Sequence, residues 1–221
     1  MVGKNILEHS NSKNHFFLTP GKSELNLLDR LAVDSYIKQN RPDIVLHSAG
    51  LVGGIEANIK APQEFLIVNF NISQNIILSS VENEVDSFIN LGSSCMYPKD
   101  SLDPLREDQI LSGKLEPTNE GYAIAKIAAT KLCEYINSNY ERKLYKTIIP
   151  CNLFGRFDNF NPDTSHMIPG VMRRLHEAKS LNQSVVKIWG DGKARREFMD
   201  AAELADFVYY AISNFESMPQ N

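Results

Sequence analysis

Tyr122-Ala123-Ile124-Ala125-Lys126 sets a phenol and an amine four residues apart. On a helix that spacing puts both side chains on one face. A neighbouring ammonium favours the phenolate, so Tyr122 is expected to titrate below its ordinary value of about 10. Such a phenol passes a proton to or from a carbonyl oxygen. Taken alone, the pair is more often an ordinary surface contact. Ser93-Ser94-Cys95 adds to it, because these residues follow directly on the apolar run Phe88-Ile89-Asn90-Leu91-Gly92 and precede the tyrosine segment. A serine at the carboxyl end of a strand is placed to hydrogen-bond the carbonyl that Tyr122 would serve, although Gly-Ser-Ser by itself usually marks a polar turn.

Short apolar runs alternate with helix-like stretches. Strands are expected at 16–18, 43–47, 87–92, 146–150 and 185–189, and helices at 31–39, 61–82, 122–139 and 167–179. The helix at 61–82 carries Phe65, Val68, Ile72, Ile76 and Ser79 on one stripe. Pro42 stops the helix before it, and Pro20-Gly21 ends the first strand. Strand and helix alternating with long crossovers imply an α/β, doubly wound parallel sheet. Ligands of such sheets bind beyond the carboxyl ends of the strands, where the candidate residues fall.

The 221 residues are 43% hydrophobic and 23% charged, an ordinary globular balance. A net charge of −4 supplies no general field for nucleic acid or an acidic membrane. No stretch approaches the roughly 20 apolar residues of a membrane span, and no signal peptide is visible. Cys95, Cys133 and Cys151 form neither a metal spacing nor an even disulfide framework, which points to a reducing, cytoplasmic compartment and no metal. Cys133 and Cys151 read as packing residues by position. A lone cysteine such as Cys95 is more often a small buried hydrophobe than a catalyst.

The segments 91–98 and 116–126 resemble the GDP-L-fucose synthases, a family of extended short-chain dehydrogenase/reductases. So do Glu24-Leu25-Asn26-Leu27-Leu28-Asp29, Val52-Gly53-Gly54-Ile55, Pro150-Cys151-Asn152-Leu153-Phe154-Gly155, Asp158-Asn159-Phe160, Ser165-His166-Met167-Ile168-Pro169 and Trp189-Gly190-Asp191-Gly192. The resemblance implies a Rossmann-type fold and an NADPH-dependent 3,5-epimerisation and 4-reduction of GDP-4-keto-6-deoxy-D-mannose. On that basis Cys95 would exchange protons at the carbons beside the ketone, with His166 as its partner across the sugar. Ser93 and Tyr122 would polarise the C4 oxygen, and Lys126 would hold the nicotinamide ribose and tune Tyr122.

The same resemblance implies cofactor contacts from Gly3, Lys22, Asp29, Ala49, Gly50, Leu51, Lys126, Pro150, Cys151, Asn152 and Leu153. It implies substrate contacts from Ser94, His166, Arg174, Trp189 and Arg196. Read from the residues alone, Asp29 is an ordinary helix cap near Leu31, and one of Arg173 and Arg174 is a solvated helix position. Lys22 stands near a place where the family can hold the 2′-phosphate of NADP, in a segment that otherwise departs from it. The family is commonly dimeric through the helices corresponding to 61–82 and 122–139.

Gly3 matches only the third glycine of the family's Gly-x-x-Gly-x-x-Gly turn. The resemblance therefore implies a dinucleotide-binding domain over 1–155 that lacks its first strand, and a partial substrate-binding region over 156–221. Catalytic residues would be present with cofactor and substrate binding compromised. A nucleotide-sugar 4-epimerase or 4,6-dehydratase also uses Tyr-x-x-x-Lys, but Ser94-Cys95 stands where dehydratases carry an acidic pair. A non-catalytic remnant of the family is the alternative of another class.

Overall fold

Three short apolar segments build the sheet: β1 (Ile44–His47), β2 (Ser87–Leu91) and β3 (Leu144–Ile148). They lie in the order β1-β2-β3, all parallel, with Val45 opposite Phe88 and Phe88 opposite Tyr145. The computed structural model describes residues 1–221 except 102, 103, 142, 143 and 189.

Each crossover between parallel strands is helical, as the geometry requires. Helix α2 (Arg30–Asn40) opens on Asp29, whose carboxylate accepts from the Ala32 N–H at 3.1 Å. Short α3 (Ile55–Lys60) follows β1, and then α4 (Pro62–Glu82), with proline in its first turn where no N–H is needed. Helix α5 (Glu120–Asn139) joins β2 to β3. It meets α4 closely at Gly121, where a Cβ would stand 2.5 Å from the Pro62 carbonyl oxygen.

One face of the sheet is covered by α2, α4 and α5, with Val33, Ile37, Ile76, Ile77, Phe88, Ala129, Cys133 and Tyr145 buried between them. The Phe88 and Tyr145 rings stack at 5.1 Å, and the Tyr145 hydroxyl donates to the Val85 carbonyl at 2.8 Å. The opposite face is closed by α1 (Val2–Glu8) and α7 (Ala201–Ser213). Ile6, Leu204, Ala205, Val208 and Tyr209 form a second core there against Leu46 and Ile148. The Tyr209 hydroxyl donates to the Ile6 carbonyl at 2.7 Å, a bond between residues 203 positions apart. Helices on both faces of a parallel sheet make the doubly wound architecture expected from the alternation.

A second, two-stranded parallel sheet pairs β4 (Asn152–Phe154) with β5 (Phe198–Asp200), and α6 (Met167–Ser180) lies between them in the chain. Among the described residues no helix is long and apolar enough to cross a membrane.

Two expected strands are absent. Residues 16–18 are irregular, with Phe16 90% exposed and Phe17 packed into the second core. Residues 185–188 are irregular too, with Val185 and Ile188 exposed, and Trp189 lies outside the described residues. Apolar, β-branched content makes a strand only where a neighbouring backbone completes the ladder. Helix α7, although within 156–221, packs on α1 and the first sheet, and Leu153 of β4 and Met199 of β5 join the same core.

Candidate functional site

The carboxyl end of β2 and the start of α5 bring five of the sequence candidates together: Ser93, Ser94, Cys95, Tyr122 and Lys126. Beyond Leu91 the chain turns through Gly92, whose missing side chain leaves room for Met96, Thr147 and Ile149 at 3.1–3.2 Å. Ser93 is extended, and Ser94–Met96 make one 3₁₀ turn closed by Met96 N–H to the Ser93 carbonyl at 3.0 Å. The turn is tied to the next strand end, because the Ser94 N–H donates to the Pro150 carbonyl at 3.1 Å. Pro150 is thereby set beside Ser94, and two residues on, Asn152 enters β4 and donates to the Glu197 carbonyl at 3.0 Å.

Lys126 is buried one turn along α5 from Tyr122. Its ammonium donates to the Leu91 carbonyl at 2.7 Å and lies 5.7 Å from the Tyr122 ring centre. Burial lowers Lys126 to about 8, against a smaller upward pull from Cys95. Burial raises the Cys95 thiol to about 11, partly offset by its hydrogen bond with Ser93 and by the Lys126 charge. The Tyr122 phenol is also raised, by burial and then by Cys95. The expectation that Lys126 lowers Tyr122 is thus not met: removal from water outweighs the ammonium, whose own charge is partly lost to the same burial. At neutral pH, Tyr122 and Cys95 are both protonated and stand as proton donors.

A glycine loop, residues 49–54, borders this cluster and is pinned by two asparagines that sequence reasoning missed. Asn69 reads the Leu51 backbone from both sides: its Oδ1 accepts the Leu51 N–H at 2.8 Å and its Nδ2 donates to the Leu51 carbonyl at 3.0 Å. Gly50 has to be glycine there, since a Cβ would fall 2.7 Å from Asn69 Oδ1. Asn58 donates to the Gly53 and Gly54 carbonyls at 2.9 and 3.1 Å. The signal was available: Asn69 interrupts the apolar stripe of α4, and a buried amide in such a stripe needs partners. His47 and Asn90 belong to the same class, both fully buried in strands read as apolar.

His166 is exposed at the N-cap of α6. Among the described residues no hydrogen bond or ring contact joins it to Cys95, Ser93 or Tyr122. Its segment nevertheless abuts the glycine loop, since Gly54 N–H donates to the Thr164 carbonyl at 3.2 Å and a Cβ on Gly54 would lie 2.7 Å from the Ser165 carbonyl. From Gly53 the path continues through Phe65, whose ring lies 6.5 Å from Tyr122.

Of the other candidates, Gly3 sits in α1, where a Cβ would lie 3.5 Å from Ser48 Oγ just beyond β1. Lys22 is exposed in a turn and has no ion pair among the described residues. Asp29 is the helix cap described above. Arg174 donates to the Gly170 carbonyl at 3.2 Å and the Lys187 carbonyl at 3.3 Å, while Arg173 pairs with Glu177. Arg196 is exposed.

The chain as a whole matches the model of the NAD dependent epimerase/dehydratase family over residues 1–221. The chain belongs to that family. Within it, a GDP-L-colitose synthase of Yersinia pseudotuberculosis is 52% identical over 221 residues, covering all of this chain and 72% of the relative. A GDP-L-fucose synthase of Azorhizobium caulinodans is 44% identical over 223 residues, covering 70% of its length. Among solved structures, a GDP-mannoheptose C4 reductase from Campylobacter jejuni with NADP bound superposes with a TM-score of 0.86 at 28% identity, over all of this chain and 74% of that one. A GDP-L-fucose synthetase from Naegleria fowleri bound to NADP gives 0.85 at 28% identity, over 96% and 69%. This member of the epimerase/dehydratase family thus spans about 70% of the relatives' length.

Proposed function

We propose that the chain is an NADPH-dependent epimerase-reductase of a GDP-4-keto-6-deoxy sugar. The observation that carries the reading is the joint burial of Tyr122, Lys126 and Cys95 around the carboxyl end of β2, in mutual electrostatic contact. The cofactor fits the residues present. Lys126 commits one N–H to Leu91, leaving two donors for ribose hydroxyls. In the loop at Ala49, Gly50 and Leu51, Gly50 would let the cofactor approach the backbone closely while Asn69 holds Leu51 in place, and Pro150–Leu153 would border the nicotinamide. Lys22 has its charge free for a 2′-phosphate, whereas one carboxylate oxygen of Asp29 is already held by its helix. When bound, NADPH supplies the hydride for C4.

The protein's part is proton handling. Tyr122, held protonated by burial, donates to the C4 oxygen as it becomes an alkoxide, and Ser93 donates a second hydrogen bond to it. Before reduction, the C4 ketone acidifies the protons on C3 and C5. Cys95, also held as the neutral thiol, returns a proton to the enolate carbon on its face, and His166 removes one from the other. Ser94, His166, Arg174, Trp189 and Arg196 would contact the GDP-sugar, an arginine suiting the diphosphate.

The test is to incubate the purified chain with NADPH and GDP-4-keto-6-deoxymannose in deuterated water. Loss of reduced-nicotinamide absorbance with deuterium at C3 and C5 of a GDP-L-fucose product is expected. Cys95→Ser should abolish deuterium incorporation while keeping some reduction. Absence of both NADPH binding and turnover would favour a non-catalytic remnant.

A second reading is favoured by the 52% identity to the GDP-L-colitose synthase. Colitose lacks the 3-hydroxyl of fucose, so its precursor has a methylene at C3 and only C5 to invert. Preference for the 3-deoxy ketone would decide for it. The exposed Ile67, Phe70, Ile124 and Tyr135 on α4 and α5 support a homodimer through these helices, which sedimentation equilibrium would test.

A further inference from the structure

Two buried polar atoms on neighbouring strands, His47 Nδ1 and Asn90 Oδ1, have no hydrogen-bond partner among the described residues. His47 stands directly opposite Asn90 across β1 and β2, and Asn90 stands opposite Thr147 across β2 and β3. The three side chains therefore form one polar row across the sheet, near the carboxyl ends of the strands and all but sealed from solvent.

The row's remaining bonds run outward to two helices. His47 Nε2 lies 3.0 Å from Ser73 Oγ on α4. Asn90 Nδ2 points to Thr130 Oγ1 at 3.4 Å and to Thr147 Oγ1 at 3.3 Å. The Thr130 hydroxyl in turn donates to the Lys126 carbonyl at 3.0 Å. With the amide's nitrogen committed to α5 and β3, its oxygen is left without a partner among the described residues, in the same row as His47 Nδ1. Adjacent strands are roughly 4.8 Å apart. Two unpartnered polar atoms on register-paired residues of adjacent strands are what a single water, able to donate and accept at once, can satisfy together.

We propose that one buried water bridges His47 Nδ1 and Asn90 Oδ1. It completes a polar tie from Ser73 on α4, through both strands and Thr130, to the turn of α5 that carries Lys126, and it makes His47 and Asn90 positioning residues for Lys126. Among the described residues, helix α5 brings the Lys126 ammonium to this row and α4 brings the hydroxyl of Ser73. His47 itself is held neutral, lowered to about 3 by burial and secondarily by Lys126, so it acts as a dipole. Lys126 Nζ reaches the carbonyl of Leu91, the residue next to Asn90, so a loosened tie would release the amine from the dry position it holds.

Two measurements on the full chain test this without cofactor or substrate, so their outcome is independent of the reductase reading. A high-resolution crystal structure is expected to show a water within hydrogen-bond distance of both atoms. An empty gap, or a ring turned to bond Asn90 directly, would overturn the bridge. ¹⁵Nζ NMR titration of Lys126 is expected to give a midpoint of about 8. In Asn90→Leu or His47→Phe that midpoint should rise by roughly 1 unit toward the ordinary lysine value, with His47→Gln restoring it. An unmoved midpoint in whichever of these variants keeps a native near-ultraviolet dichroism would overturn the positioning role.

Discussion

At the scale of single residues, burial rather than neighbouring charge sets the protonation of the site. Tyr122 and Cys95 are raised and Lys126 is lowered, each with loss of solvent as the largest cause. If Tyr122 is the proton donor to C4, Tyr122→Phe should cut turnover about 100-fold or more while leaving NADPH binding intact, as steady-state kinetics and cofactor titration would show. His47 gives a pH prediction of its own. Its folded value of about 3 lies below the ordinary 6.5, so between those limits the unfolded chain binds a proton that the native chain refuses. The stability due to this neutral ring is complete above 6.5 and is lost as pH falls toward 3. Denaturant titrations should show about 1.4 kcal/mol lost per pH unit in that window from this group. His47→Leu should flatten that slope, whatever it does to stability at neutral pH. None of this was legible in the spelling of the chain: Tyr122-x-x-x-Lys126 announced the pair, yet the sign of the tyrosine's shift depends on depth below the surface, which spacing does not carry.

At the scale of elements, the close fit of α5 on α4 is set at Gly121. Gly121→Ala would drive a methyl onto the Pro62 carbonyl, a backbone atom, and should cost about 1–3 kcal/mol in denaturant unfolding while spreading the helices that carry Tyr122 and Phe65. The amide of Asn69 does for the glycine loop what a strand partner does for a strand. Asn69→Leu should therefore weaken NADPH binding about 10-fold with little change in kcat, read as a KM effect. The helices α2, α4, α5 and α6 and the strands β1 to β3 were readable because their apolar periodicity and stop signals agree with the packing they find. Residues 16–18 and 185–188 carry the same apolar content without becoming strands, because pairing is a property of the neighbour. Helix α7 escaped notice for the opposite reason. Its exposed side carries Phe207 and Tyr210 beside Glu203 and Asp206, so its apolar stripe toward α1 and the sheet does not stand out from the rest of its circumference. The site divides likewise. Ser93, Ser94, Cys95, Tyr122 and Lys126 meet around a single strand end, whereas among the described residues the segment of His166 is linked to them through Gly54, Gly53 and Phe65.

At the scale of the whole molecule, two cores lie on opposite faces of one sheet and differ in how far apart their contributors are in the chain. The core under α2, α4 and α5 draws on residues 25–145. The other joins Ile6 and Phe17 to Leu204, Val208 and Tyr209. Closing so long a loop is entropically slow, whereas the first core is assembled from nearer segments. Refolding should therefore be biphasic when followed by stopped-flow fluorescence and pulse-labelled hydrogen exchange, with amides of α4 and α5 protected first and those of α1 and α7 later. The Tyr209–Ile6 bond gives that sequence a biological edge. On a ribosome, α1 emerges with its apolar side bare and has to wait for the intervening chain, 203 positions from Ile6 to Tyr209, before α7 arrives. During that interval the exposed flank of the sheet is the part of the nascent chain most in need of a chaperone.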